Sequence, residues 1–257
     1  MMTNVKNNAK VESPVDSTTG ENNRLRGQIA DIMGVDRWVE ADYPTVAPVS
    51  VDEVILLFKG YPGIITIVGV GTNFPANYSP TADVLTLLTG RLVGHFEHSA
   101  LGCTIEVSAG WQIKDVRARL AQVGQCVPSL DRFERGTIGG RLAAISSYVE
   151  IGRFDGWNNY LLGLEIITSD GEFLKIGGRS IKDVAGYNLK SLFTGSRGAI
   201  GMIASAIFRT KPLDNKLPVV ERESQNAWSP SPAKQSAKYD PALKRLFDPR
   251  GRMRPGP

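Results

Sequence analysis

Three short stretches of this 257-residue chain hold more glycine than ordinary turns require. VGVGTNF (68–74) leaves a run of β-branched residues, GTIGG (136–140) opens into a series of small residues, and LFTGSRGAIGMI (192–203) runs into another apolar segment. A glycine-rich turn at a strand end presents consecutive backbone N–H groups in a concave array that suits phosphate, and Thr72 and Asn73 add side-chain donors. VGVGTNF is not the G-x-G-x-x-G dinucleotide fingerprint, because Phe74 stands where a glycine is needed and Pro75 breaks a helix start. In GTIGG, three glycines in five positions require either a sharp turn or a very close backbone approach. The functional reading lays the amides of Thr137, Ile138 and Gly139 against a diphosphate or a flat ring. The bland reading is a turn into a tightly packed helix, with Ala143, Ala144, Ser146 and Ser147 letting backbones close in. A plain turn explains one such loop well and three badly. Two of them, one per lobe, fit a cleft that clasps an extended, pyrophosphate-containing ligand from both sides.

The composition excludes several other chemistries. There are 30 Lys and Arg against 26 Asp and Glu, a formal net charge of +4, which is too slight to argue for nucleic acid. Cys103 and Cys126 stand in separate segments without a C-x-x-C, so the chain alone holds no iron–sulfur cluster or Cys-type zinc. His95 and His98 would share a metal if they lay on a helix, but Gly94 and the β-leaning context read as exposed surface, and no metal is expected. No apolar stretch approaches the length of a membrane span, and the N-terminus lacks a signal peptide's apolar core. The expectation is a cytoplasmic protein, held at a membrane, if at all, through partners.

The elements that must position the loops follow from periodicity. Residues 1–24 are polar and read as disordered. VAPVSVDEVILLFK (46–59) reads as a short strand and then a helix, with Ser50 and Glu53 forming a capping box ahead of Val54, Ile55, Leu56 and Leu57. IITIVG (64–69) is a strand buried on both faces, and DVLTLL (83–88) and TIEVSAG (104–110) are further strands. WQIKDVRARLAQVGQ (111–125) is an amphipathic helix with Ile113, Val116, Leu120 and Val123 on one face and Gly124 at its end. LLGLEIITSDGEFLKIGG (161–178) is a hairpin about Ser169-Asp170-Gly171, and GMIASAIFRTKP (201–212) is a closing strand. Residues 213–237 read as a Pro/Ser-rich linker, and 238–257 as a tail in which YDPALKRLF offers one helix. The order of elements predicts two α+β lobes, and two lobes make a cleft.

Taken together, these stretches resemble the flavin-binding domain of the FAD-linked oxidases of the vanillyl-alcohol oxidase and p-cresol methylhydroxylase (PCMH) type. The resemblance runs from about Val46 to Pro212. VGVGTN stands where that family has its first FAD-pyrophosphate loop and GTIGG where it has its second; IKDVAGYNLKSLFTGSRGAIGMIASAIFRTKP matches its closing section. Within the family, KDVAGYNL is especially similar to the two flavin subunits of bacterial glycolate oxidase, the smaller more than the larger. The resemblance implies a two-lobed α+β PCMH-type domain over 25–212, with lobes of about 25–125 and 126–212 and non-covalent FAD between them. It implies that Gly69, Val70, Gly71, Thr72 and Asn73 hold the pyrophosphate from one side. Gly136, Thr137, Ile138, Gly139 and Gly140 would flank it and the ring from the other, and Ile203 would offer its main chain to the adenosine half.

There are departures from the family pattern. The substrate cap is absent or minimal, Asp183 stands where Asn is common, and Arg197 stands where an acidic residue is common. Arg153, Lys182 and Tyr187 are the candidates to hold a 2-hydroxy-acid carboxylate or serve as base, against the plainer reading of surface or lobe-bridging pairs. Tyr148, Trp157 and Tyr160 read as core. The expected function is that of an FAD-binding subunit in a glycolate-oxidase-like dehydrogenase complex, with a larger flavin subunit and an iron–sulfur subunit as partners. A free-standing small 2-hydroxy-acid oxidase and a flavin-free scaffold are the alternatives.

Overall fold

A computed structural model describes residues 15–72, 83–130, 135–144, 157–179, 189–213 and 241–256. The first half contains α1 (Val15–Met33), β1 (Thr45–Val46), α2 (Val51–Gly60), β2 (Ile64–Val68), β3 (Val84–Leu88), β4 (Phe96–Ser99), β5 (Thr104–Ser108), α3 (Ile113–Gln122) and β6 (Gln125–Cys126). The second contains α4 (Ile138–Ala144), α5 (Trp157–Tyr160), β7 (Leu161–Ile167), β8 (Phe173–Gly177), α6 (Lys190–Phe193), β9 (Met202–Arg209), β10 (Lys211–Pro212), α7 (Pro241–Phe247) and β11 (Met253–Arg254).

The continuous apolar runs of β2 and β3 form the centre of a parallel sheet in the order β1-β3-β2-β11. Parallel strands are covered on both faces, which is why they read as unbroken β-branched and Leu-rich text. Here α1 and α2 supply one cover: Ile29, Met33, Val54, Leu57 and Phe58 share a core with Val46, Ile65, Leu85 and Leu87. Ser50 caps α2 by accepting from the Glu53 amide at 3.2 Å. The Glu53 carboxylate reaches back to the Val49 amide at 2.8 Å, one residue before the usual partner of a capping box. It is also gripped by both arms of Arg37, whose hydrogen bond holds its pKa below the ordinary carboxylate value.

The helix α1 begins at Val15, inside the segment expected to be disordered. Its C-terminal half is anchored by the buried Ile29 and Met33. Once a helix is nucleated by packing, each further residue adds a hydrogen bond, so a polar stretch is carried along.

The second sheet is antiparallel, in the order β4-β5-β9-β7-β8. The β7–β8 hairpin closes as read, with Thr168 accepting from the Gly171 amide at 3.0 Å and Gly171 at φ +77°. The strand read as a closing element, β9, is in fact central, paired with β5 on one side and β7 on the other. Beneath it α3 and α4 bury Ile113, Val116, Leu120, Ile138 and Leu142, and Tyr160 joins this core. Gly124 at φ +68° ends α3, while Val123 is 55% exposed and not on the buried face. The parallel sheet thus takes its strands from 45–88 and 253–254, and the antiparallel sheet takes its strands from 96–209. Alternation alone does not reveal that β5 pairs on one side with β4 and on the other with the distant β9.

The largest correction is at the C-terminus. The segment read as a tail returns to the first lobe, where β11 adds beside β2 with Met253 opposite Ile65 and Arg254 opposite Thr66. Arg252, 5% exposed, donates to the carbonyls of Phe58, Tyr61 and Ser169, so it satisfies the C-terminal end of α2 and the hairpin turn at once. A cation at a helix C-terminus also meets the negative end of the helix dipole. Asp248, buried beside it, accepts from the amides of Arg252 and Met253, each at 2.9 Å, and from Lys244 at 2.7 Å. Arg252→Met is expected to lower stability by about 3 kcal/mol, because three buried carbonyls lose a charged donor. A urea midpoint that falls with an unchanged slope would show it, and an unchanged midpoint would mean the strap is not part of the fold.

Candidate functional site

The second glycine stretch is locked into the protein on both sides. Thr137 is the N-cap of α4, its hydroxyl accepting from the Gly140 amide at 3.1 Å, as a Thr at that position does. Ile113 donates to the Gly136 carbonyl at 3.0 Å, Ile138 to Trp111 at 2.9 Å and Gly139 to Ala109 at 2.9 Å. The amides of Ile138 and Gly139, read from the sequence as facing a diphosphate or ring, are therefore committed to protein carbonyls. What these glycines supply is closeness. A Cβ on Gly139 would stand 2.6 Å from that of Ala109, and one on Gly69 would stand 2.6 Å from Thr137 Oγ1 and 3.5 Å from Gly140 Cα. Gly136 makes the sharp turn, at φ +98°.

The first loop is arranged differently. Among the described residues, the amides of Gly69, Val70, Gly71 and Thr72 donate to no backbone carbonyl. They stand just beyond β2, above Thr89, whose amide and hydroxyl both bond the Val68 carbonyl, at 2.8 and 3.2 Å.

Both loops line one narrow cleft of about 70 Å³ that opens to solvent. Gly69, Val70, Gly71, Thr72, Gly136, Thr137, Gly139, Gly140 and Ile203 all border it. Ile138 does not; its side chain lies wholly in the core under β5 and β9. Asn73, Arg153, Lys182 and Tyr187 lie outside the described residues, as does Tyr148.

Sequence reasoning passed over two cations that the fold brings to the same cleft. Arg141 follows GTIGG directly, and Arg197 sits in the third glycine stretch at φ +52°, flanked by Gly198. Burial pushes the pKa of both guanidinium groups down. The Arg197 amide donates to Ala143 and its carbonyl accepts from Gly256, each at 2.8 Å, so the C-terminal strap ends at the cleft. A signal for Arg141 was present in the text: it is a cation close to the start of a helix, where Asp or Glu is favoured.

The histidines behave as surface residues. On an extended chain His95 and His98 do not share a face as they would on a helix. His98 Nε2 lies 2.8 Å from Gln125 Oε1, while His95 stands 3.6 and 3.7 Å from Glu97 and Glu106. Those two carboxylates are already bridged by Arg179, at 2.5 and 2.9 Å. Cys103 is exposed and Cys126 buried, both as free thiols. Among the described residues no helix is long and apolar enough to cross a membrane.

Comparison with known proteins defines the class. The family described as an FAD binding domain matches residues 45–177, about half of the chain, and the chain belongs to it. FAD is its cofactor. The D-lactate dehydrogenase of Archaeoglobus fulgidus is 29% identical over 66% of this chain and 39% of its own length. Glycolate oxidase subunit GlcD of Bacillus subtilis is 30% identical over 56% of this chain and 31% of its own, and subunit GlcE of Escherichia coli 28% identical over 51% and 38%. The chain thus spans only 31–39% of the length of these relatives. Among solved structures, an alkyldihydroxyacetonephosphate synthase shares the fold with a TM-score of 0.53 at 22% identity, over 66% of this chain and 32% of that one.

The residues of the cleft fit the cofactor. Among the described residues, the amides of Gly69, Val70, Gly71 and Thr72 and the guanidinium groups of Arg141 and Arg197 line the cleft as donor types suited to an anionic diphosphate.

Glycine contacts make a paired prediction. Gly139→Ala should cost about 1–3 kcal/mol, since neither its Cβ nor that of Ala109 can swing away. Gly27→Ala, in the exposed middle of α1 with nothing within 4 Å, should instead stabilise by about 0.5–1 kcal/mol. Thermal or urea midpoints of the two variants should move in opposite directions.

Proposed function

We propose that this protein is the FAD-carrying subunit of a 2-hydroxy-acid dehydrogenase complex of the glycolate oxidase kind, passing electrons to partner subunits. Its partners would be a larger flavin subunit and an iron–sulfur subunit, and its place in the cell the cytoplasm. The observation that carries this reading is that the two glycine loops line one cleft in a chain that belongs to an FAD binding domain family. Only the stretch 213–240 separates β10 from α7, shorter than the roughly 40 residues below which a chain rarely builds its own core. Beyond it α7 and β11 belong to the flavin body.

In this reading Gly69, Val70, Gly71, Thr72 and Asn73 bind the diphosphate. Gly136 and Thr137 turn the chain beside it, and Gly139 and Gly140 give the ring its flat wall. Ile203, 5% exposed at the start of β9, borders the adenosine half. Bound FAD would supply the two-electron chemistry that no side chain of the cleft offers. Arg153, Lys182 and Tyr187 remain the candidates for contact with a substrate or a partner's flavin. The glycines kept in all three loops argue against a flavin-free scaffold, which has little need of them.

The purified protein is expected to show flavin absorption near roughly 370 and 450 nm, to release FAD on heating, and to keep its colour when glycolate or D-lactate is added alone. Bleaching by either acid would overturn the relay role in favour of a self-sufficient oxidase. A colourless protein that takes up no added FAD would leave only the scaffold.

A further inference from the structure

The cleft contains one cation whose position is set by both glycine loops together. Arg141 is the fourth residue of α4, and its amide donates to the Thr137 carbonyl at 2.9 Å, so its Cα is fixed by the helix that Thr137 caps. Its side chain runs back along the Gly136 turn. A Cβ on Gly136 would stand 3.9 Å from both Cγ and Nε of Arg141 and 3.3 Å from Thr72 Oγ1. Arg141 and Thr72 thus lie on the two sides of the Gly136 turn, and both line the same cleft. Gly136 makes that approach possible: any side chain there would fall between Thr72 and Arg141, and the backbone at φ +98° would resist one as well.

Four amides are partial charges; a diphosphate is a full anion, and taking it into a part-buried cleft requires a full cation if its charge is to be compensated. Of the two arginines that line the cleft, Arg141 follows the second glycine loop and flanks the Gly136 turn, across which Thr72 of the first loop lies, while Arg197 sits in the third glycine stretch. We infer that Arg141 is a cofactor-binding residue: its guanidinium pairs with a phosphate of the FAD diphosphate, opposite the amides of Gly69–Thr72, and supplies the charge that those amides lack. The inference rests on the flavin reading of the cleft. Burial, which lowers the pKa of Arg141, leaves an arginine charged at neutral pH and makes its pairing with an anion worth more than at the surface.

The test uses the full chain stripped of cofactor, with FAD and riboflavin titrated by flavin fluorescence into the wild type, Arg141→Met and Arg141→Lys, at low and high salt. Riboflavin carries the ring without phosphate. Arg141→Met should weaken FAD by roughly 10- to 100-fold and flatten the salt dependence, while riboflavin binds variant and wild type alike. Arg141→Lys keeps the charge but not the planar fork, and should lose roughly 3- to 10-fold. Circular dichroism and a thermal melt establish that each variant is folded; if the Met variant is not, the Lys variant decides. Unchanged FAD affinity in a folded variant, or equal loss of FAD and riboflavin, overturns the role of Arg141 and leaves the flavin reading intact. A wild type that takes up no FAD overturns both.

Discussion

The molecule depends on a contact between bare backbones. Gly69, at the end of β2 in the parallel lobe, and Gly140, in the first turn of α4 in the antiparallel lobe, lie against each other with the Thr137 hydroxyl beside them. The distances leave no place for a Cβ on Gly69, and one on Gly140 would meet Thr137 Oγ1 at 2.9 Å. Because the two loops are this close at their base, they diverge into a cleft and do not simply stack, and their functions separate. One loop uses its amides to secure α4 to the end of β5; among the described residues the amides of the other, from Gly69 to Thr72, bond no backbone carbonyl. The cleft is thus a consequence of how the lobes are joined.

The C-terminal strap closes the same body from the far side. By adding β11 to β2 it completes the sheet whose central strand ends in the first glycine loop, and through Gly256 it touches the loop that carries Arg197. Arg252 ties α2, the β7–β8 turn and the strap into one buried cluster. The strand that leads into the first glycine loop is therefore held between β3 and β11, which gives that loop a fixed base.

Much of this was visible in the sequence. The capping box of α2, the buried runs of β2 and β3, the amphipathic α3 and the hairpin turn are all local patterns, and each formed where its pattern placed it. The glycine loops were visible as candidates because glycine is rarely kept without a backbone reason. What was hidden is non-local. Nothing near Met253 shows that two residues between Arg252 and Pro255 will pair with β2, and a buried Arg252 contradicts the usual reading of arginine as surface. The partner of β5 is a strand a hundred residues on, so the order of that sheet could not be read from neighbours. The hydrogen bonds of Ile138 and Gly139 were equally hidden, and they changed the role of GTIGG from donor array to packing surface.

The most direct measurement is hydrogen–deuterium exchange, residue by residue, with and without FAD. Amides already bonded inside the fold exchange slowly whatever is bound, while exposed ones slow only when a ligand covers them. The account requires that FAD slow exchange at Gly69, Val70, Gly71 and Thr72 and leave Ile138, Gly139 and Gly140 slow in both states. Protection by FAD at 138–140 with none at 69–72 would contradict it, and would return the second glycine loop to the role of phosphate donor.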